Sequence, residues 1–113
     1  MEITFKKSGG LAGVHERLGP VDTAQQGDAG GEIEAKVEQI GFFAMPERLP
    51  EEGPVYDGFG YGVTVADAER RHQVEYSDSS RSDDRRPLDE LAQLLEANGW
   101  AYREVPLEAE PSS

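Results

Sequence analysis

No cysteine occurs among the 113 residues. This excludes a disulfide framework and a thiolate metal site, and leaves packing to hold the fold. Histidine is scarce, at two residues, so a zinc site would need carboxylates in an arrangement that nothing in the spacing provides. Positive charge is outnumbered, with 11 Lys and Arg against 23 Asp and Glu and a formal net charge of −12, at a pI near 4.4. A surface of that sign repels phosphate backbones, and nucleic acid is not an expected partner. The arginines that do cluster, Arg70 with Arg71 and Arg81 with Arg85 and Arg86, lie among Asp67, Glu69, Asp78, Asp83 and Asp84, which cancel most of their field. Long apolar runs are missing as well. No stretch reaches the length of a membrane span, and the opening MEITFKK has no signal-peptide core, so the expectation is a protein made in the cytoplasm with no membrane partner.

What is present reads as one compact domain over residues 1–107, with a flexible acidic tail over 108–113. Glu2 to Lys7 alternates, with Ile3 and Phe5 on one face, the period of a half-buried strand. After the glycine loop SGGLAG, Val14 to Leu18 alternates again and completes a first hairpin. GPVDTAQQGDAGG, residues 19–31, is rich in breakers and poor in large apolar groups, which predicts an exposed connection. Ile33, Val37 and Ile40 then form one stripe of a helix, with Glu32, Glu34, Lys36 and Glu38 toward water and Gly41 as its left-handed cap. Phe42 and Phe43 follow as anchors for the chain leaving that helix.

PERLPEEGPVYDG, residues 46–58, holds too many prolines for a central strand and predicts a second surface loop. Phe59, Tyr61, Val63 and Val65 alternate with small residues, and DAER turns the chain into His72, Val74 and Tyr76: a second antiparallel hairpin. Gly60 and Gly62 fall on the face opposite the aromatics, where they either admit another backbone or simply weaken a solvent face. RRPLDELAQLLEANG is a helix with Leu88, Leu91, Leu94 and Leu95 inward, Pro87 in its first turn and Asn98-Gly99 as its end. WAYREVPL reads as a fifth strand or a packed extension. The fold class is α+β, order ββαββα(β): an antiparallel sheet of four strands or five, built from two hairpins, with both helices on one face.

Searches for chemistry fail. HERLG at His15 starts like a zinc-helix motif, but Gly19 stands where the second histidine belongs and the segment alternates like a strand. DSSRSDD lacks the glycine and the glutamate of a calcium loop. SGGLAG lacks the Lys-Ser/Thr of a phosphate loop and opens no helix. No serine elbow and no paired acid is evident, and neither a catalytic residue, a metal nor a cofactor is expected.

The segments ITFKKSGGLAGV, IEAKVEQIGFFAMPERLP, DGFGYGVTVADAERRHQVEY and PLDELAQLL, in that order from Ile3 to Leu95, resemble the emfourin family, small bacterial inhibitors of thermolysin-like (M4) zinc metallopeptidases. The matching positions are Ser8 to Gly13; Phe42, Phe43 and Pro46; Asp57, Phe59, Tyr61, Val63, Thr64 and Val65; and Arg70, His72 and Val74. The sequence departs at Met45, at Leu11 where phenylalanine is common, and in the long 19–31 connection. The resemblance implies a non-catalytic protein that occupies or blocks the cleft of a zinc endopeptidase. The expected contact is Ser8, Gly9, Gly10, Leu11, Ala12 and Gly13, joined by Met1 and Glu2 or by the loop of Glu51, Glu52 and Tyr56, on a protein expected to be a monomer. These enzymes favour a bulky apolar side chain just past the scissile bond. Leu11 therefore either points out as an anchor or folds back to close the hairpin. Two other functions fit the residues: an acidic adaptor binding through a strand edge, and a small-ligand binder using Gly60, Gly62 and the aromatics.

Overall fold

The structure, a computed structural model, describes residues 1–9, 14–51 and 59–105. Among these residues five strands and two α-helices follow one another: β1 (Glu2–Gly9), β2 (Val14–Asp22), α1 (Asp28–Gln39), β3 (Phe59–Ala66), β4 (Arg71–Ser77), α2 (Ser82–Ala97) and β5 (Arg103–Glu104). The strands make one antiparallel sheet in the order β4-β3-β1-β2-β5. This is the expected α+β architecture with the fifth strand present. β1 lies at its centre, where Ile3 sits opposite Val65 and Phe5 opposite Val63, and Val63 in turn sits opposite Val74. All five of these side chains are fully buried. Period-2 alternation places them on one face, and there Ile33 and Val37 of α1 and Leu88, Leu91 and Leu95 of α2 close over them in a single core cluster.

The 19–31 connection is not an exposed loop. β2 continues through it to Asp22, Val21 is fully buried, Thr23 is 2% exposed, and α1 starts at Asp28. Simple alternation would put Leu18 and Val21, three residues apart, on opposite faces. The register shows how both face the core: Phe5 pairs with Leu18 and Ile3 with Val21, so two steps of β1 oppose three steps of β2 across a bulge at Gly19 and Pro20. Gly19 takes φ +96, and a Cβ there would lie 2.7 Å from the Ile3 carbonyl oxygen. Pro20, joined by a cis peptide, sits where the bulge asks for no ladder donor. Gly and Pro read as loop residues in the sequence because a bulge uses the same two residue types.

Gly41 ends α1 with φ 67, in the left-handed region as expected. Phe42 is fully buried, while Phe43 is half-buried with the Arg70 guanidinium 4.0 Å above its ring. Residues 47–51 are more than a surface loop. They run along the outer edge of β4, the Leu49 N–H donating to Glu75 O at 2.9 Å and the Glu75 N–H to Glu47 O at 2.7 Å, and Leu49 is 4% exposed. This covers an edge that would otherwise offer unpaired backbone groups. α2 begins at Ser82, five residues before Pro87, so the proline stands in the second turn and not in the first, where it removes one helical hydrogen bond. Gly99 caps α2 at φ +93, and the indole N–H of half-buried Trp100 donates to Gln26 Oε1 at 3.3 Å. The 108–113 tail lies outside the described residues.

Candidate partner-binding site

One pole of the sheet brings together Ser8, Gly9 and Glu51 of the expected contact residues. Gly9, the last residue of β1, pairs with Val14 on one side and Phe59 on the other, and Gly60 next to Phe59 pairs with Ser77 of β4. The described residues that flank the connections 10–13 and 52–58, namely Gly9, Val14, Glu51 and Phe59, all stand at this pole. Gly9 has φ 112, a value open mainly to glycine, which lets the chain leave the strand here. Gly10, Leu11, Ala12, Gly13, Glu52 and Tyr56 themselves lie outside the described residues. Met1 and Glu2 stand at the opposite pole, roughly 23 Å away at about 3.3 Å per strand residue. There the Met1 carbonyl accepts from the Thr23 N–H at 2.9 Å and the Thr23 hydroxyl at 3.1 Å. The fold thus brings Ser8, Gly9 and Glu51 together and keeps Met1 and Glu2 apart from them.

The base of this pole is tied down by short polar contacts. Glu51 forms a bridge with Ser80 and its carboxylate accepts from the Ser77 hydroxyl at 3.0 Å, while the Ser80 hydroxyl accepts from the Ser77 N–H at 3.0 Å. Asp78 accepts from the Phe59 N–H at 2.9 Å, and its own N–H donates to Phe59 O at 3.1 Å. Glu51 is thus a fastening of its loop rather than a free carboxylate. Serines suit this place because a hydroxyl both donates and accepts in a tight turn.

On the inner face of the same pole, Lys7 lies against two aromatic rings beside a stacked tyrosine pair. Its Nζ lies 4.4 Å from the centre of the Phe59 ring and 5.8 Å from that of Tyr102, and Tyr61 stacks on Tyr76 at 5.0 Å. Burial, then the Asp78 carboxylate, push the Tyr61 phenol up to about 12. Burial, and next a neighbouring tyrosine, hold Tyr76 and Tyr102 above the usual phenol range as well. Burial also raises the Asp89 carboxyl, against the pull of Arg85 and with help from Asp78. These phenols stay neutral near pH 7 and pack as apolar rings at this end of the sheet. Sequence reading placed Tyr61 and Tyr76 only as strand residues; the Val63–Val74 pairing, once a short turn is assumed, was the signal that would have stacked them.

Among the described residues, no helix covers the outer face of the sheet. An open cavity of about 330 Å³ lies on it, reaching from Ser8 and Glu51 at the pole to Lys6, Gly62 and Gln73. A Cβ at Gly60 or Gly62 would meet nothing closer than 3.9 and 3.8 Å, so the fold itself does not require glycine at either position.

Among the described residues no three His, Asp or Glu side chains converge as a metal site. His72 is engaged structurally, with Nε2 2.7 Å from the Met45 carbonyl and its ring edge-on to Phe42 at 5.5 Å. The model of one family, Emfourin, matches residues 5–93. No curated protein and no solved structure matches the chain.

Proposed function

The chain belongs to the emfourin family, non-catalytic inhibitors of M4 metallopeptidases, and we propose that it blocks the cleft of such an enzyme with the pole that carries Ser8 and Gly9. The supporting observation is the pairing of Gly9 with Phe59, which holds together the two strand ends that border the 10–13 and 52–58 connections. An inhibitor loop binds well when its ends are already fixed, because little ordering remains to be done in the complex. β1 is paired on both flanks, Glu51 and Asp78 fasten the base, and the Lys7 cluster stiffens the strands behind it. Leu11, with glycines on both sides, is the apolar anchor in this reading. Met1 and Glu2, at the far pole, do not share the contact. The protein acts as a monomer, since residues 47–51 cover the β4 edge that would otherwise pair with a second copy.

The test is Leu11→Asp in the full chain, assayed on a thermolysin-like peptidase with a short peptide substrate. Loss of a central apolar anchor raises the inhibition constant by at least about 30-fold. An unchanged constant, with an unchanged thermal melt, removes this loop from the site. Size-exclusion chromatography with light scattering checks the monomer.

A further inference from the structure

Three cations stand in line across the helix-free face of the sheet. Lys6 of β1 lies directly opposite Arg17 of β2, and Arg17 directly opposite Arg103 of β5. All three are exposed, and they fall on the face opposite the buried Phe5 and Leu18. Like charges in directly opposed strand positions repel, and a chain of net charge −12 has carboxylates to spare for separating them. It does separate others: Lys36, Arg48, Arg70, Arg85 and Arg86 each lie within 4 Å of a carboxylate. Lys6, Arg17 and Arg103 have no such partner among the described residues. On its other side Lys6 faces Gly62, a strand glycine at which a Cβ would meet nothing closer than 3.8 Å, at the cavity running up to Ser8 and Glu51.

We propose that this face docks an acidic surface segment of the inhibited peptidase, with the row Lys6–Arg17–Arg103 supplying the countercharge and Gly60 and Gly62 admitting the segment's backbone. The proposal rests on the inhibitor reading and extends it from the loop pole to the flat of the sheet. Charge complementarity argues for an acidic partner: the row is a local reversal of sign on an acidic protein, so it orients the encounter as well as holding it. The absence of exposed aromatic side chains from these outward strand positions argues against single-stranded nucleic acid, which binds by stacking as well as by charge.

The experiment measures the association rate with a thermolysin-like peptidase from inhibition progress curves at several salt concentrations. Wild type is compared with Lys6→Gln/Arg17→Gln/Arg103→Gln and with Lys36→Gln/Arg70→Gln/Arg86→Gln, which changes the net charge equally elsewhere. The first variant associates about tenfold more slowly at low salt and loses most of the salt dependence, while the second stays within about twofold of wild type. Gly62→Val keeps its melting temperature and weakens inhibition. Equal rates for the first variant and wild type, or an equal fall in both variants, overturn the proposal, and full inhibition by Gly62→Val removes the glycines from it. If wild type inhibits no such peptidase, the inhibitor reading falls and the face is judged alone, by fluorescence anisotropy with a labelled hexaglutamate peptide. Binding that the first variant loses supports an acidic protein partner. No binding by wild type, or tighter binding of a single-stranded oligonucleotide, overturns it.

Discussion

Two adjacent glycines in the first turn of α1 should respond to alanine with opposite signs. Gly31 is exposed and a Cβ there meets nothing within 4 Å, so Gly31→Ala gains the intrinsic helix preference of alanine, about 1 kcal/mol. Gly30 is buried, and its Cβ would lie 2.0 Å from the Thr23 carbonyl oxygen. Ordinary contact begins near 3.4 Å, so the backbone of Thr23 must retreat by about 1.4 Å. Thr23 is not free to do so, because its N–H and hydroxyl both hold the Met1 carbonyl at the start of β1. Forcing atoms into a packed site costs about 1–3 kcal/mol, and a rigid backbone neighbour puts this case at the top of the range. After the helix gain of about 1 kcal/mol, Gly30→Ala is left destabilised by about 2 kcal/mol. For a domain of this size each kcal/mol moves the melting temperature by about 4–8 °C. Circular dichroism melts should therefore show Gly31→Ala rising by about 5 °C and Gly30→Ala falling by about 10 °C. A melt of Gly30→Ala within 2 °C of wild type, or one that rises with Gly31→Ala, would refute the close approach of α1 to Thr23. Both sites lie at the pole away from Gly9, so inhibition by the folded variants stays at the wild-type level.

The bulge at Gly19 makes a second stability prediction. Gly19→Ala adds a positive-φ penalty to a Cβ 2.7 Å from the Ile3 carbonyl, and urea unfolding should show a loss of about 3 kcal/mol; a loss under about 1 kcal/mol would mean that Leu18 and Val21 share the core without the bulge. Alkaline pH gives a third. Tyr61 titrates in the folded protein at about 12 instead of 10, and Tyr76 and Tyr102 are raised too; a raised folded value contributes stability below pH 10 that is lost as pH climbs toward 12. Absorbance at 295 nm should show these three phenols ionising late and together with unfolding. Ordinary titration of all four tyrosines near pH 10, with circular dichroism unchanged, would show that the Lys7 cluster is open to water.

Local periodicity carried much of this molecule. The alternations at Ile3–Phe5 and Phe59–Val65, the stripes Ile33–Val37–Ile40 and Leu88–Leu91–Leu95, and the glycines at 41 and 99 each follow from one strand or helix burying one face, and they were enough for the ββαββα order. The segments that resemble emfourins carried the family, and the match over residues 5–93 bears that out. What failed was the 19–31 stretch, because a bulge shifts the period by one residue and recruits the same Gly and Pro that mark loops. Whether a glycine ends a helix, as Gly41 does, or admits a neighbouring carbonyl, as Gly30 does, depends on a partner distant in the chain. The row Lys6–Arg17–Arg103 was equally invisible. Alternation puts Lys6 and Arg17 on the outer face, but which strands are neighbours, and in what register, is settled by packing between segments far apart. Sequence set what each segment is; tertiary structure decided what each segment faces, since burial and charge repulsion act between residues that only the folded chain brings together.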